Sequence, residues 1–429
     1  MSRKFVAKGS LLFLALFALF AVVTAVTPLS YGSNGTWFRP PCDFSLRMTE
    51  IKCLRMGVNP FDVWHGDVVL PPFRPNYGSK VSGPEFTEEI NAYAPWEYAF
   101  MLPLSFLPRK LAWMLYFAMM GLSLAFVFAI GRAYGQSATG SREDGLIAGA
   151  VPVLMVAYPI WSNICIGNFS VIVLAAVVAM AYFLDRDKDV CAGFAWALAM
   201  LKPQLGLIFA IPLIMRRKWR TCLVAAGTCA VASIVPSAMC GTPPLTLILQ
   251  TPAANLFCFK GCGTLPYALC GHLPGNGDVM LAVAIGALAC FALSRLIPCD
   301  ASWLVFLSPA AICATSWTYV STYGHVLCYF LFLGIVIDLL KDPADRIAWA
   351  FFAFAAVFAS RAYSAYHGFV SAFGSIWPSL AYPESLHCHI DSLNSTAVLV
   401  SASAFFACAG RKRTYPVKLD QPGVGGDIP

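Results

Sequence analysis

The chain has 429 residues, of which 59% are hydrophobic and only 12% are charged, and its mean hydropathy is +0.68. This composition excludes a soluble globular protein and indicates a polytopic membrane protein surrounded by membrane lipids, in which each span needs about 20 apolar residues. The net charge of +7 is accounted for by basic residues that anchor cytoplasmic loops, so nucleic acid is not expected as a partner.

Apolar stretches of membrane-span character recur along the chain. The first follows the basic start MSRKFVAK and runs from about Ser10 to Pro28, a pattern that a cleaved signal peptide would share. The others lie at about 111–131, 145–161, 168–184, 219–238, 278–297, 301–316, 326–340, 347–360 and 393–409. They predict an all-α polytopic membrane protein, a single integral domain over residues 1–429 with about ten full spans.

The segment 190–215 determines the predicted orientation, because it either crosses the membrane once or folds back as a hairpin. A hairpin places about twice as many Lys and Arg residues inside as outside, as the positive-inside rule requires, and a single crossing reverses this bias. We therefore expect a re-entrant helical hairpin at 190–215, with both termini and the tail 411–429 in the cytoplasm. The extracytoplasmic loops that form a cap are then segments 29–110, 239–277 and 361–392.

Lys202 and Pro203 interrupt this hairpin at its centre, in the stretch LAMLKPQLGL. Each arm has about 12 residues and reaches roughly 18 Å, which is short of a full crossing, so Lys202 is expected at depth in the membrane. A charge at that depth is expensive unless it faces a cavity or a partner, and Pro203 removes a backbone donor where the helix breaks. The alternative is a kinked helix whose Lys202 side chain extends toward the outer headgroups.

All six histidines lie on the extracytoplasmic face or at its membrane boundary. Together with the large outer segments, they favour chemistry at the outer membrane surface over transport, because carriers more often place their polar groups near the midplane. No metal site is expected, since the CFKGC stretch at 258–262 lacks the ligand spacing of a zinc site. The chain has no P-loop or dinucleotide fingerprint, so no cofactor is expected.

Asp43 is the sharpest acidic candidate in the first outer segment. It stands shortly after the first span and precedes a stretch predicted to be helical, which ends at a Gly-Val-Asn-Pro turn. A carboxylate at the membrane surface serves as a general base if a substrate hydroxyl lies within hydrogen-bond reach. The alternative is that Asp43 only caps the helix that follows it. Asp62 and Asp67 are reserve candidates for the base.

Four blocks of the sequence occur in a recognisable order: DFSLRMTEIKCLRMGVNPFD, YAPWEYAFMLPLSFLPRKLAWMLYF, the long block from GNFSVIVLAA through LKPQ to RRKWR, and SPAAICATSWTYVSTYGHVLCYFLFL. Over roughly residues 40–340 the chain resembles glycosyltransferase family 87, the polyprenol-phosphate-mannose-dependent mannosyltransferases of the GT-C membrane superfamily. The hairpin with its Lys-Pro break is the most specific part. The chain departs from the family's usual Tyr-Pro-Pro at Tyr93-Ala94-Pro95, and from its usual Gly-Gln at Gly167-Asn168.

The resemblance implies a GT-C-like helical bundle in the plasma or inner membrane, with its active site on the extracytoplasmic face. It further implies transfer of a sugar, most often mannose, from a polyprenyl-phosphate donor to a lipid or glycan acceptor by an inverting displacement. Asp43 matches the acidic position of the family's first outer loop, and His325 resembles a polar position near the sugar; both are the expected catalytic residues. Donor-phosphate or substrate contacts are expected from Lys202, Gln204, Tyr93, Trp96, Asn168 and Arg361. A transporter or flippase of a lipid-linked saccharide is the alternative.

Overall fold

The computed structural model describes residues 42–74, 88–90, 93–259, 277–298, 300–317 and 322–342. Several predicted elements lie outside these residues: the first span, the spans at 347–360 and 393–409, the segment 361–392 and the tail 411–429. The described part is helical apart from one short parallel pair, β1 (Phe73–Arg74) with β2 (Glu88–Glu89). The all-α prediction is therefore confirmed for the described residues.

The described residues of segment 29–110, which is predicted to be extracytoplasmic, contain three short helices: α1 (Cys42–Arg55), α2 (Pro60–His65) and α3 (Pro95–Met101). The helices of the bundle follow in chain order: α4 (Arg109–Thr139), α5 (Arg142–Met155), α6 (Ala157–Ile166), α7 (Ser170–Leu184), α8 (Asp189–Ala199), α9 (Pro203–Gly206), α10 (Ala210–Met215), α11 (Trp219–Cys240), α12 (Pro244–Phe259), α13 (Gly277–Arg295), α14 (Trp303–Phe306), α15 (Ser308–Trp317) and α16 (Tyr329–Lys341). Short 3-10 turns complete the described chain at Leu102–Phe106, Leu207–Phe209 and Thr322–Cys328.

Two of the predicted spans are broken, and proline explains both breaks. The span expected at 145–161 is divided between α5 and α6, which meet at Val156. Pro159 has no backbone N–H with which to continue the α5 hydrogen-bond ladder to Met155, but it is tolerated in the first turn of a new helix. Pro309 acts in the same way, since α14 ends at Phe306 and α15 begins at Ser308.

Two helices of the described residues are long and apolar enough to cross a membrane, α4 and α11. Less than a third of the most apolar window of each helix is buried against the rest of the protein. Large side chains such as Leu122 and Leu223 point outward with more than two thirds of their surface exposed. Such continuous apolar exposure is what a helix in contact with lipid presents. The count of about ten full spans stays a prediction.

The segment predicted to form a hairpin leaves one end of the bundle and comes back to it. Helix α8 packs beside α7 and α11 and ends at Ala199, and α9 starts a new helical turn at Pro203. After α10, the Lys218 ammonium lies 2.9 Å from Asp189 and 3.2 Å from Asp187, at the start of α8. Both ends of segment 189–215 are therefore at the same end of the bundle, with Lys202 at the opposite tip. Its depth in the membrane stays a prediction.

Helices α4 and α5 pack together through glycines spaced four residues apart, Gly131 and Gly135 on α4 and Gly145 and Gly149 on α5. A Cβ atom at Gly135 would lie 2.2 Å from the Ala148 Cβ, so the backbones approach more closely than larger residues allow. Small residues at this spacing are the usual means by which membrane helices maximise van der Waals contact. This pair orients α4, whose first turns border the site described next.

Candidate active site

Four parts of the chain meet at the end of the bundle that carries the hairpin tip. They are the first turn of α1, helix α3, the residues just before α7, and the turn between α8 and α9. Asp43 lies inside the first turn of α1, where the helix dipole favours a negative charge. Asn168 lies just before α7, and Lys202 lies immediately before α9. Residues that are far apart in sequence therefore share one small volume.

Asn168 bridges the carboxylate of Asp43 and the ammonium of Lys202. Its amide nitrogen Nδ2 donates to Asp43 Oδ2 at 2.6 Å, and its amide oxygen Oδ1 accepts from Lys202 Nζ at 2.8 Å. The same oxygen accepts from the backbone N–H and the hydroxyl of Ser170, at 3.1 Å and 2.9 Å. These contacts fix the orientation of the amide, because only one end of it carries hydrogens.

Lys202 is buried, with 5% of its surface exposed. In addition to the bond with Asn168, its Nζ donates to the hydroxyl of Ser170 at 3.0 Å. These bonds compensate part of the cost of removing an ammonium from water. The side chain is held inside the protein, so the alternative of an extended lysine at the headgroups is not favoured. The Asp43 side chain is more accessible, at 17% exposed.

A buried ion pair lies directly beside Asp43. The guanidinium of Arg47 donates through Nε to a carboxylate oxygen of Glu97 on α3, and both side chains are 1% exposed. Burial raises the pKa of the Glu97 carboxyl to about 7, although Arg47 acts to lower it. Burial also opposes the charge on Arg47, but the surrounding Tyr93, Glu97 and Asp43 outweigh it and raise the pKa of the guanidinium, which stays protonated.

Helix α3 connects this ion pair to the hairpin tip. The indole Nε1 of Trp96 donates to the backbone oxygen of Met200 at 2.6 Å, two residues before Lys202. Tyr98, on the same helix, is buried, and its hydroxyl accepts from the backbone N–H of Tyr93 at 2.8 Å. Pro95 occupies the first position of the helix, where its missing N–H costs nothing. The helix thus contacts both the α1 side and the hairpin side of the site.

Most of the residues of this site lie in a part of the sequence that matches a known family. The sequence model of glycosyltransferase family 87 matches residues 91–321, which is more than half of the chain. The chain belongs to glycosyltransferase family 87. It is therefore a membrane glycosyltransferase, which uses a sugar donor and an acceptor. No curated protein and no solved structure matches the chain.

The glycosyltransferase brings together five of the residues predicted from the sequence: Asp43, Asn168, Lys202, Tyr93 and Trp96. The family match includes the last four but begins after Asp43. Tyr93 places its ring 4.2 Å from the guanidinium carbon of Arg47, so it borders the ion pair. The roles assigned to these residues stay predictions.

Of the three remaining predicted residues, the structure describes Gln204 and His325. Gln204 is half-buried in the first turn of α9, two residues after Lys202. His325 is half-buried in the 3-10 turn Thr322–Cys328, and this turn packs against α6. Arg361 lies outside the described residues. The predicted roles of all three in the site stay predictions. Within the described ranges, no three His, Cys, Asp or Glu side chains come together as metal ligands would.

Three residues of the site were not predicted from the sequence: Arg47, Glu97 and Ser170. A signal for Arg47 was present, because Asp43, Arg47 and Glu50 are spaced four and three residues apart and therefore share one face of α1. Arg47 and Glu50 are buried, and Glu50 hydrogen-bonds to the Tyr98 hydroxyl on α3. No sequence pattern connects Glu97 to Arg47, which stands 50 residues before it. Only the tertiary fold brings the two charges together.

Proposed function

We propose that this glycosyltransferase transfers mannose from a polyprenyl-phosphate donor to a hydroxyl of a lipid or glycan acceptor, on the extracytoplasmic face of the plasma or inner membrane. The observation that carries the proposal is the pairing of a partly exposed carboxylate, Asp43, with a buried ammonium, Lys202, across a single amide. Transfer from a lipid phosphate requires both a group that takes a proton and a group that balances anionic charge.

In the proposed reaction Asp43 accepts the proton of the acceptor hydroxyl. The acceptor oxygen then attacks the anomeric carbon of the sugar, and the bond between that carbon and the phosphate oxygen breaks. The bonding electrons leave with the polyprenyl phosphate, whose added charge is balanced by Lys202. Attack from the side opposite the leaving phosphate inverts the anomeric centre. The products are a new glycosidic bond, the polyprenyl phosphate and the protonated Asp43.

The distribution of charge supports an extracytoplasmic site. Basic residues concentrate at the opposite end of the bundle from Asp43, around the RRKWR stretch at 216–220 and Arg186. Short loops rich in Lys and Arg remain in the cytoplasm. The site end is also the end at which the polar helices of the first outer segment collect. A lipid-linked donor at the outer surface presents its phosphate to that end.

The alternative of a transporter or flippase is not favoured. The chain belongs to a glycosyltransferase family, and its polar cluster lies at one end of the described bundle. Carriers more often place their binding groups at the midplane between repeated halves.

The experiment is a donor screen followed by a single substitution. Purified protein in lipid is incubated with radiolabelled polyprenyl-phosphate mannose, glucose or arabinose and with membrane extracts as the acceptor source. We expect a new glycosidic product from the mannose donor, and we expect Asp43→Asn to lower kcat by about 10² to 10⁴-fold. Asp187→Asn is the control, because the Asp187 side chain is 91% exposed and lies at the opposite end of the bundle from Asp43.

Two outcomes would contradict the proposal. Transfer from the glucose or arabinose donor but not from the mannose donor would exclude mannose as the transferred sugar. Turnover by folded Asp43→Asn within about threefold of the wild type would remove Asp43 as the base, since loss of a general base costs far more. In that case, loss of turnover in Asp62→Asn or Asp67→Asn would transfer the role to one of the reserve carboxylates.

A further inference from the structure

We propose that Arg47, held by Glu97, is a positioning residue that fixes the Asp43 carboxylate in register with Lys202. This inference rests on the proposed function, in which Asp43 is the base. The buried Arg47–Glu97 pair connects α1, which carries the base, to α3, which contacts the hairpin tip that carries the ammonium.

Arg47 holds the first turn of α1 from inside the helix. Its Nη1 donates to the backbone oxygen of Asp43 at 2.9 Å and lies 3.8 Å from the Asp43 Oδ2 atom. Its Nε is bonded to Glu97 at the same time. One planar guanidinium therefore bonds at the same time to the backbone oxygen of Asp43 and to the carboxylate of Glu97 on α3. A lysine has a single charged nitrogen and cannot present this fork.

The other end of the connection reaches Lys202. Trp96, the residue before Glu97, donates its indole N–H to the backbone oxygen of Met200 in the hairpin tip. The guanidinium is also enclosed between two aromatic rings, with its carbon 4.2 Å from the Tyr93 ring centre and 4.4 Å from that of Phe169. Phe169 directly follows Asn168, the residue that bridges Asp43 and Lys202. Two neighbours of Arg47 therefore adjoin residues that position the ammonium: Glu97 follows Trp96, and Phe169 follows Asn168.

Stability alone does not account for this arrangement. Buried ion pairs contribute little net stability, because the cost of removing both charges from water offsets their attraction. The Nη2 atom of Arg47 is buried and has no hydrogen-bond partner among the residues that the structure describes, which adds a further cost. An apolar contact between α1 and α3 would hold the helices together at a lower cost. The hydrogen-bonded pair fixes the orientation of α1 relative to α3, which a non-directional apolar contact does not.

The test compares two matched Arg→Lys substitutions. Arg47→Lys removes the fork beside Asp43. Arg216→Lys makes the same change in a guanidinium that stacks on Trp303 and Phe306 at the opposite end of the bundle. For each variant, the melting temperature in detergent, kcat and the donor KM are measured. We expect Arg47→Lys to lower kcat by about 100-fold with the donor KM within about threefold, because misplacement of a catalytic group by about 1 Å has an effect of this size.

A second variant keeps the test decisive if Arg47→Lys does not fold. Glu97→Gln retains an oxygen that accepts from Arg47 Nε but loses the negative charge that Glu97 carries above about pH 7, and we expect kcat measured above that pH to fall by about tenfold at an unchanged KM. Arg216→Lys is expected to lower the melting temperature without lowering kcat. Wild-type kcat in both Arg47→Lys and Glu97→Gln, or an equal loss of kcat in Arg216→Lys, would overturn the positioning role.

The proposed function fails in a different way. If Asp43→Asn keeps its turnover, the base is wrong whatever Arg47 does. If Asp43→Asn is inactive and the Arg47 and Glu97 variants keep wild-type kcat, the base stands and only the positioning role is lost.

Discussion

Replacing Asn168 by aspartate tests the bridge between Asp43, the proposed base, and the ammonium of Lys202 with almost no change in shape. In the protein, Nδ2 of Asn168 donates to Asp43 Oδ2 at 2.6 Å. In Asn168→Asp, a carboxylate oxygen takes the place of this donor and faces the Asp43 carboxylate. The bond to Lys202 at the other end of the side chain is kept, since the new residue still accepts from the ammonium.

The expected effect follows from the distance. Two full charges 2.6 Å apart repel by about 6 kcal/mol at an effective dielectric constant near 20. Lys202 lies 2.8 Å from the other oxygen and offsets part of this repulsion. The two carboxylates therefore share one proton near neutral pH, as closely placed carboxylates do elsewhere. A base that shares a proton cannot accept another from the acceptor hydroxyl.

We expect kcat of Asn168→Asp to be at least about tenfold below that of the wild type at pH 6 and to recover as the pH rises toward 9, when both carboxylates ionise. The measurement is the pH dependence of sugar transfer for both proteins. Asn59→Asp is the matched control, because the Nδ2 of Asn59 donates to Asp62 Oδ1 at 3.0 Å in the same outer segment. The same carboxylate pair is thereby created away from Asp43.

A variant Asn168→Asp with the wild-type pH profile would refute the reasoning, because it would show that the Asp43 carboxylate is not needed in its ionised form. The loss of activity at low pH in Asn59→Asp, with Asn168→Asp unaffected, would assign the role of base to Asp62 instead. Either result is read against melting temperatures, so that a fall in the amount of folded protein is not mistaken for a fall in kcat.

The remaining predictions concern stability. Gly135→Ala should lower the melting temperature in detergent, because the added Cβ would lie 2.2 Å from the Ala148 Cβ and overpacking typically costs about 1–3 kcal/mol. Gly121→Ala in the same helix, where nothing lies within 4 Å, should be neutral or stabilising; equal losses would remove the role of close packing. Since burial raises the pKa of Glu97 to about 7, the folded state keeps a proton that the unfolded state loses above about pH 4.5. The wild type should therefore lose stability relative to Glu97→Gln as the pH rises from 4.5 to 7, and a constant difference in melting temperature would contradict this.

The helical break at Lys202-Pro203 shows how far local sequence information reaches. Pro203 cannot donate a backbone hydrogen bond, so the end of α8 and the start of α9 follow from the sequence alone. The continuous spans expected at 145–161 and 301–316 are each divided into two helices, because a hydropathy average does not register the prolines at which they break. Apolar composition indicates where helices lie, but a proline does not by itself determine where they end, since Pro152 and Pro236 lie inside α5 and α11.

Only part of the candidate site was predicted from the sequence. Asp43, Asn168 and Lys202 were each selected from the sequence, and the structure joins them through hydrogen bonds that span 125 and 34 residues. The part of Asn168 as the bridge between the two charges was not predicted. Sequence spacing determines contacts within one helix, and it carries no information on which turn of another helix will lie opposite.

The sequence by itself determined the class of the protein, its helical character, the break in the hairpin and the acidic and basic candidates, because these depend on composition and on local backbone chemistry. The tertiary structure decided the partners: Asn168 between Asp43 and Lys202, and Glu97 beside Arg47. A buried charge must find a specific partner at a specific distance, and that partner is set by how the helices pack. The physical reason is that electrostatic pairing depends on position in space, which hydropathy and helix propensity leave open.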